Sequence, residues 1–269
     1  QGDTIAVGMT GSMPGANIAL YTACKAMDIV PVVISSIGSS DYGALHEDFT
    51  WLDMEKKLYD KKIISHRSIA ASLGGRQDEY KERIMSDGTS YGGEKGRKLA
   101  KAAIKRNKLE EIKGWKERIV KYKSAFKGVF DDDLKRYSAY VNIGGSYASL
   151  GHKGNRALDK RSGFLENKFV IDAKLSESVT LTFAKQRVEI INIHNIHKLI
   201  KDDSGNSIIR YGGGQEKIGD GPAYYELDYG FKLTLISLFL TLGGFLLIGI
   251  KSYKQINKHM NSYEAESIL

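Results

Sequence analysis

Two hydrophobic periods alternate along the first two thirds of the chain. Short apolar runs at 4–7, 29–34, 68–73, 138–143 and 188–193 read as buried strands. Between them the apolar positions fall at helical spacing. The pattern predicts one helix over 17–27. A second follows Thr50, a capping residue, with Trp51, Leu52, Met54 and Leu58 on one face and Asp53 in its first turn. A long helical stretch covers 94–136, where Ile112, Trp115, Ile119, Tyr122 and Phe126 recur on one face. Strands alternating with helices predict an α/β fold: a mostly parallel, Rossmann-like sheet with helices on both faces.

Every predicted strand runs into a loop of small or polar residues. The first and most informative is the segment Gly8-Met9-Thr10-Gly11-Ser12-Met13-Pro14-Gly15-Ala16-Asn17. Strand, Gly-rich turn and helix aim backbone N–H groups and a helix N-terminus at one point, which suits a phosphate, a carboxylate or an oxyanion. Thr10, Gly11, Ser12 and Asn17 are therefore candidate ligand contacts. In parallel sheets such loops gather along one edge. Ser35 and Ser36 after the second run, and Gly74 and Gly75 after the third, join the same candidate site. So do Asn142, Gly144, Gly145 and Ser146 at the fourth, and Asn195 beyond the fifth. The first loop matches neither G-x-G-x-x-G nor G-x-x-x-x-G-K-[ST], so nothing supports a nucleotide cofactor.

The last third of the chain has a different pattern. Residues 231–250 read FKLTLISLFLTLGGFLLIGI, a run whose length and all-round apolarity predict a transmembrane helix. Lys251, Lys254 and Lys258 follow it, with acids only later at Glu264 and Glu266, while the preceding flank holds Glu216, Asp220, Glu226 and Asp228 against Lys217 and Lys232. The positive-inside bias then places a short tail in the cytoplasm and the large domain outside. The expected organisation is an extracytoplasmic α/β domain over 1–201 and a polar, Gly-rich linker over 202–229. A membrane helix over 230–251 and a cytoplasmic tail over 252–269 complete it.

Charge sharpens one region. Residues 94–136 carry 15 Lys or Arg against 7 Asp or Glu, and that surplus of 8 equals the net +8 of the whole chain. Lys113, Lys116 and Lys121 lie off the apolar face of this stretch and are candidates for contacting a polyanion, with anionic lipid headgroups as the alternative target of the stretch. For a domain outside the cell that polyanion is not a nucleic acid. The lone cysteine, Cys24, excludes an intramolecular disulfide.

The chemistry of catalysis is weakly marked. Ser12, Ser36, Ser72 and Ser146 are nucleophile candidates, with His66 or His194 as base and Asp41 or Asp53 as its orienting partner. The G-x-S-x-G elbow is absent. His194 and His197 stand three apart without a nearby carboxylate, so no metal is expected.

Five ordered segments carry a family resemblance. VGMTGSMPGANIAL (7–20), VVISSIGSSDYGA (32–44), FTWLDME (49–55), HRSIAASLGG (66–75) and YVNIGGSYASLG (140–151) resemble the poly-gamma-glutamate system protein family of bacteria. A weaker similarity continues through VEIINIHNIHKL (188–199). The resemblance implies a membrane-associated role in synthesising, exporting or retaining poly-gamma-glutamate, with the other membrane subunits of that system as partners. It brings no catalytic residue. The chain begins at Gln1, just ahead of the Thr-Gly-Ser motif, whereas the family has more residues and a membrane segment before it. An upstream part that is cleaved off or is a separate chain is therefore expected. The stretch 94–136 is also richer in lysine than the resemblance implies. Two readings follow: a component that binds or guides the anionic polymer, or a hydrolase or transferase acting on gamma-glutamyl chains through a strand-end serine.

Overall fold

The computed structural model describes residues 2–38, 45–75, 77–84, 90–126, 134–152, 158, 161–173, 176–199 and 231–266. Its contacts divide the chain into two units, Gln1–Ser207 and Ile208–Leu269. The first unit is α/β. Its strands are β1 (Thr4–Thr10), β2 (Val30–Gly38), β3 (Leu45–His46), β4 (Phe49–Thr50), β5 (Ser68–Gly74), β6 (Arg83–Ile84), β7 (Ser90–Tyr91), β8 (Glu110–Glu111), β9 (Ala139–Ile143), β10 (Gly163–Leu165) and β11 (Glu189–Ile193). Its helices are α1 (Pro14–Met27), α2 (Trp51–Asp60), α3 (Gly93–Arg106), α4 (Gly114–Ser124), α5 (Tyr147–Leu150), α6 (Asn167–Asp172), α7 (Val179–Lys185) and α8 (Ile196–Leu199).

Seven strands form the main sheet in the order β10-β11-β9-β1-β2-β5-β8. All neighbours pair in parallel except β10, which runs antiparallel to β11 at one edge. After β1 the chain winds outward through β2, β5 and β8, then returns to place β9 on the other side of β1. The strand order therefore reverses between β1 and β9. In open α/β sheets, ligands bind outside the strand C-termini at such a point.

Side chains alternate between two cores, as the period of a strand requires. Ile5, Val7 and Met9 face one core with Tyr21 of α1 and Trp51 and Leu52 of α2. Ala6 faces the other, which holds Tyr122 of α4, Tyr140 of β9 and Phe183 of α7. The rings of Tyr140 and Phe183 stack at 4.8 Å. Buried phenols need acceptors. The Tyr122 hydroxyl donates to the Val7 carbonyl at 2.7 Å, and that of Tyr137 to the Tyr122 carbonyl at 2.8 Å.

Two expectations need correction. First, β1 and β2 extend beyond the apolar runs, so Thr10, Ser35 and Ser36 are strand residues and not loop residues. Pairing continues because Thr10 and Ser36 are still partners in register. Second, the basic stretch is not one helix. It breaks into α3, the edge strand β8 and α4, with left-handed backbone at Lys108 (φ 54°) and Gly114 (φ 66°) at the breaks. The mostly parallel sheet is as expected, and the one strand added to it is the short antiparallel edge strand β10, which has no apolar run to mark it.

The second unit contains α9 (Phe231–Glu266). Its segment Leu235–Lys258 has 24 residues, a mean hydropathy of 1.9 and no buried share. At 1.5 Å per residue such a segment covers roughly 36 Å, enough to cross a bilayer core. The helix continues past the apolar run through the expected tail as far as Glu266. The expected linker over 202–229 lies outside the described residues, as does Asp41.

Candidate functional site

The strand order directs attention to the C-terminal ends of β1 and β9. Thr10 ends β1, and its hydroxyl lies 2.7 Å from the Ser12 hydroxyl. The turn is tied on both sides. Gly11 N–H donates to the Ser36 carbonyl at 2.9 Å, and Asn17 Nδ2 of α1 donates to the Thr10 carbonyl at 2.9 Å. Gly11 has no room for a side chain, since a Cβ there would sit 2.8 Å from the Ile37 carbonyl oxygen. Pro14 opens α1, where a missing N–H costs nothing. The first-turn amides of Gly15 and Ala16 have no acceptor within the helix.

Opposite this turn stands the loop after β9. Gly144 has φ 88°, and a Cβ there would fall 2.1 Å from Thr10 Oγ1. Only glycine lets the two loops approach so closely. Asn142 Nδ2 donates to the Gly144 carbonyl and to Asn192 Oδ1, both at 2.8 Å, which ties β9 to β11. Asn17 Oδ1 and Asn142 Oδ1 are buried without a hydrogen-bond partner. Buried unmet acceptors are uncommon in a folded core.

Ser36 connects this crevice to a buried charge. Its hydroxyl accepts from Arg118 Nη2 of α4 at 2.7 Å and donates to Ser146 Oγ at 3.2 Å. The same Arg118 nitrogen donates to Ser72 Oγ of β5 at 2.5 Å, and Ser72 donates to Asp78 Oδ1 at 2.6 Å. Arg118 and Asp78 form an ion pair at 3.5 Å, with side chains 1% and 2% exposed. Gly114 N–H at the start of α4 donates to Asp78 Oδ2 at 2.8 Å. Arg118 Nε is buried with no partner. Asp78 sits in left-handed backbone (φ 59°), as do Gln77 and Tyr80 beside it. Such conformations cost about 1–3 kcal/mol each and persist only where the surroundings hold them.

The candidate residues thus separate into groups. Thr10, Ser12, Ser36, Gly144 and Ser146 come together, with Asn17 and Asn142 fixing the loops. Gly145 continues the β9 loop between Gly144 and Ser146. Ser35 does not belong, because it points to the opposite face, where it bonds Ser68 and Trp51. Gly74 and Gly75 have a scaffold role. Both are at positive φ, and a Cβ on Gly75 would lie 2.8 Å from the ring of the buried Tyr80. Asn195 engages through its backbone, donating to Ser162 Oγ at 3.1 Å. Sequence reasoning missed Arg118 and Asp78. Arg118 stands in the apolar stripe between Trp115 and Tyr122, and a cation in such a stripe is the signal that was available.

The lysines of α4 are largely engaged. Lys113 pairs with Glu79 at 2.9 Å, Lys121 pairs with Glu110, and Lys116 lies over the Trp115 ring at 5.7 Å. Hydrogen bonding from Lys113 and then Lys81 holds the Glu79 carboxyl down at about 2. Asp53, offered as a triad member, instead closes the start of α2. It accepts from Thr50 N and Thr50 Oγ1, both at 2.8 Å, and from Arg106. Among the described residues no group of His, Cys, Asp and Glu could hold a metal ion.

Comparison with known protein families, with curated proteins and with solved structures finds no match to this chain.

Proposed function

We propose that the protein is a membrane-anchored, carboxylate-binding component of a bacterial poly-gamma-glutamate system, which binds or guides the anionic polymer outside the cell. The crevice between β1 and β9 carries this reading. It lies where the strand order reverses, it brings together the hydroxyls of Thr10, Ser12, Ser36 and Ser146, and the buried guanidinium of Arg118 bonds Ser36. These groups suit an oxyanion. The apolar α9 supports the anchor, and the three lysines after it favour an external domain. The polymer itself comes from the resemblance of the five ordered segments.

The hydrolase reading is weaker. Ser36 accepts a hydrogen bond from Arg118, and that bond holds electron density that a nucleophile needs free. The nearest carboxylate, Asp78, is already engaged by Arg118, Ser72 and Gly114.

The test is binding of poly-gamma-glutamate to the full chain in detergent, with dextran as a neutral control. Binding should be selective for the polyanion, weaken as salt rises and fall at least tenfold in Gly144→Val, which blocks the crevice. Equal binding of both polymers, or polymer binding unchanged in Gly144→Val, overturns the reading. Charge reversal at Lys113, Lys116 and Lys121 measures guidance separately from binding.

A further inference from the structure

A cleft lies at the C-terminal end of β5 and shares Asp78 with the Arg118 network. It has a volume of about 320 Å³ and is lined by Leu73, Asp78, Glu79, Arg97, Lys101, Glu111, Ile112 and Lys113. One wall is α3 and the facing wall is the segment from β8 into α4. Most charges around it are neutralised in pairs. Glu79 holds Lys113 at 2.9 Å and Lys81 at 3.0 Å, and Asp78 holds Arg118. On α3 itself, Lys95 pairs with Glu47, Lys98 with Glu94 and Arg106 with Asp53.

Three lining charges form no direct ion pair among the described residues: Arg97, Lys101 and Glu111, the last within electrostatic reach of Lys113. Arg97 and Lys101 stand one helical turn apart, so both reach the same wall and repel each other. Glu111 lies across the cleft on β8. The unmatched set is two positive charges against one negative. The complementary ligand has two carboxylates and one ammonium group within a few ångströms. Such a set describes an acidic α-amino acid, and the volume is at the small end of ligand sites.

We infer that this cleft binds an acidic amino acid, with Arg97 and Lys101 holding its two carboxylates and Glu111 its ammonium group. The ligand is either the free amino acid or the amino-terminal residue of a gamma-linked chain. The second source rests on the polymer reading, and the first stands without it.

The experiment titrates the full chain in detergent with L-glutamate, glutarate, L-glutamine and gamma-glutamyl-glutamate, by calorimetry. Glutarate keeps both carboxylates and lacks the ammonium. Glutamine keeps the ammonium and lacks one carboxylate. Glutamate is expected to bind at least tenfold more tightly than either. Arg97→Gln and Lys101→Gln should each weaken glutamate at least tenfold. Glu111→Gln should weaken glutamate while leaving glutarate within twofold. These side chains are on the surface, and circular dichroism checks that each variant is folded. Tighter binding of the dipeptide than of glutamate assigns the chain end, and the reverse assigns the free amino acid. Undetectable glutamate and dipeptide binding at millimolar concentration overturns the inference, as does equal binding of glutarate or glutamate affinity unchanged in Arg97→Gln and Lys101→Gln. Polymer binding lost only in Gly144→Val is a result about the other crevice and leaves this one to its own titration.

Discussion

Ser35 and Ser36 are neighbours on β2, yet they enter buried polar networks of opposite kinds. Ser35 faces the α1–α2 side. It bonds Ser68 at 2.8 Å and Trp51 Nε1 at 3.2 Å, and the network ends at Glu55, which accepts from Tyr21, Ser68 N and Ser68 Oγ. Ser36 faces the α4 side and joins Arg118, Ser72, Ser146 and Asp78. Glu55 has a longer and one-sided ion pair, with Arg67 Nε at 3.8 Å, and burial still raises its carboxyl. Arg118 has its counter-ion in Asp78. The first network is enclosed between helices and the sheet. The second sits where the strands end and the loops begin. A polar residue in mid-layer serves packing, whereas one at the strand C-termini can meet a ligand.

Removing one partner from the Arg118 network has the largest expected effect. Arg118→Met leaves Asp78 buried and unpaired, and should cost about 3–5 kcal/mol in urea unfolding. Adding Asp78→Asn should recover most of that loss. A single-variant cost under about 1 kcal/mol would mean that the pair is solvated, and the contrast with Glu55 would fail.

Gly144→Ala tests the crevice geometry. The added methyl meets Thr10 Oγ1, and φ 88° is unfavourable for alanine. We expect about 1–3 kcal/mol of destabilisation, read from the same unfolding curves. An unchanged midpoint would show that the two loops can separate freely.

Glu55 is distinguished by pH. Burial raises its carboxyl above the usual 4.5, and the bonds from Tyr21 and Ser68 and the charge of Arg67 do not offset that. The native state therefore holds a proton that the unfolded chain releases. The resulting stability is fully present below about pH 4.5 and is lost as pH rises through the raised native value. Within that window stability should fall by about 1.4 kcal/mol per pH unit. Glu55→Gln should flatten this slope. A slope identical in wild type and Glu55→Gln would place the titration elsewhere.

Asp53 has the smallest expected effect and the opposite sign. Burial raises its carboxyl, but hydrogen bonds from Arg106, Thr50 and Asn107 outweigh it and bring the group down to about 2. Its contribution is present above about 3.8, the ordinary value, and is lost as pH falls through about 2. Asp53→Ala should cost about 1 kcal/mol at neutral pH, as loss of a helix-start contact does. That difference should disappear in acid unfolding near pH 2.

Much of the scaffold was legible along the chain. The apolar runs of β1, β2, β5, β9 and β11 are strong because buried parallel strands are apolar on both faces. The Thr50–Asp53 contact at the start of α2 was legible because capping is local. The extension of β2 through Ser35 and Ser36 was not, because those serines are polar and resemble a loop until their partners on other strands are known. The break between α3 and α4 was hidden for a similar reason. Lys108 and Gly114 give weak local signals, and β8 contains only Glu110 and Glu111, which pair with β5 at the sheet edge.

Local pattern by itself determined the α/β alternation, the apolar span of α9 and the Gly-rich turn after β1, since each depends on residues close in sequence. Tertiary structure alone decided the reversal of strand order between β1 and β9 and the meeting of Gly144 with Thr10. It alone decided that Arg118 reaches Ser36 across 82 positions of chain. Those contacts depend on which strands become neighbours, and hydrophobic spacing is the same for every order of the sheet.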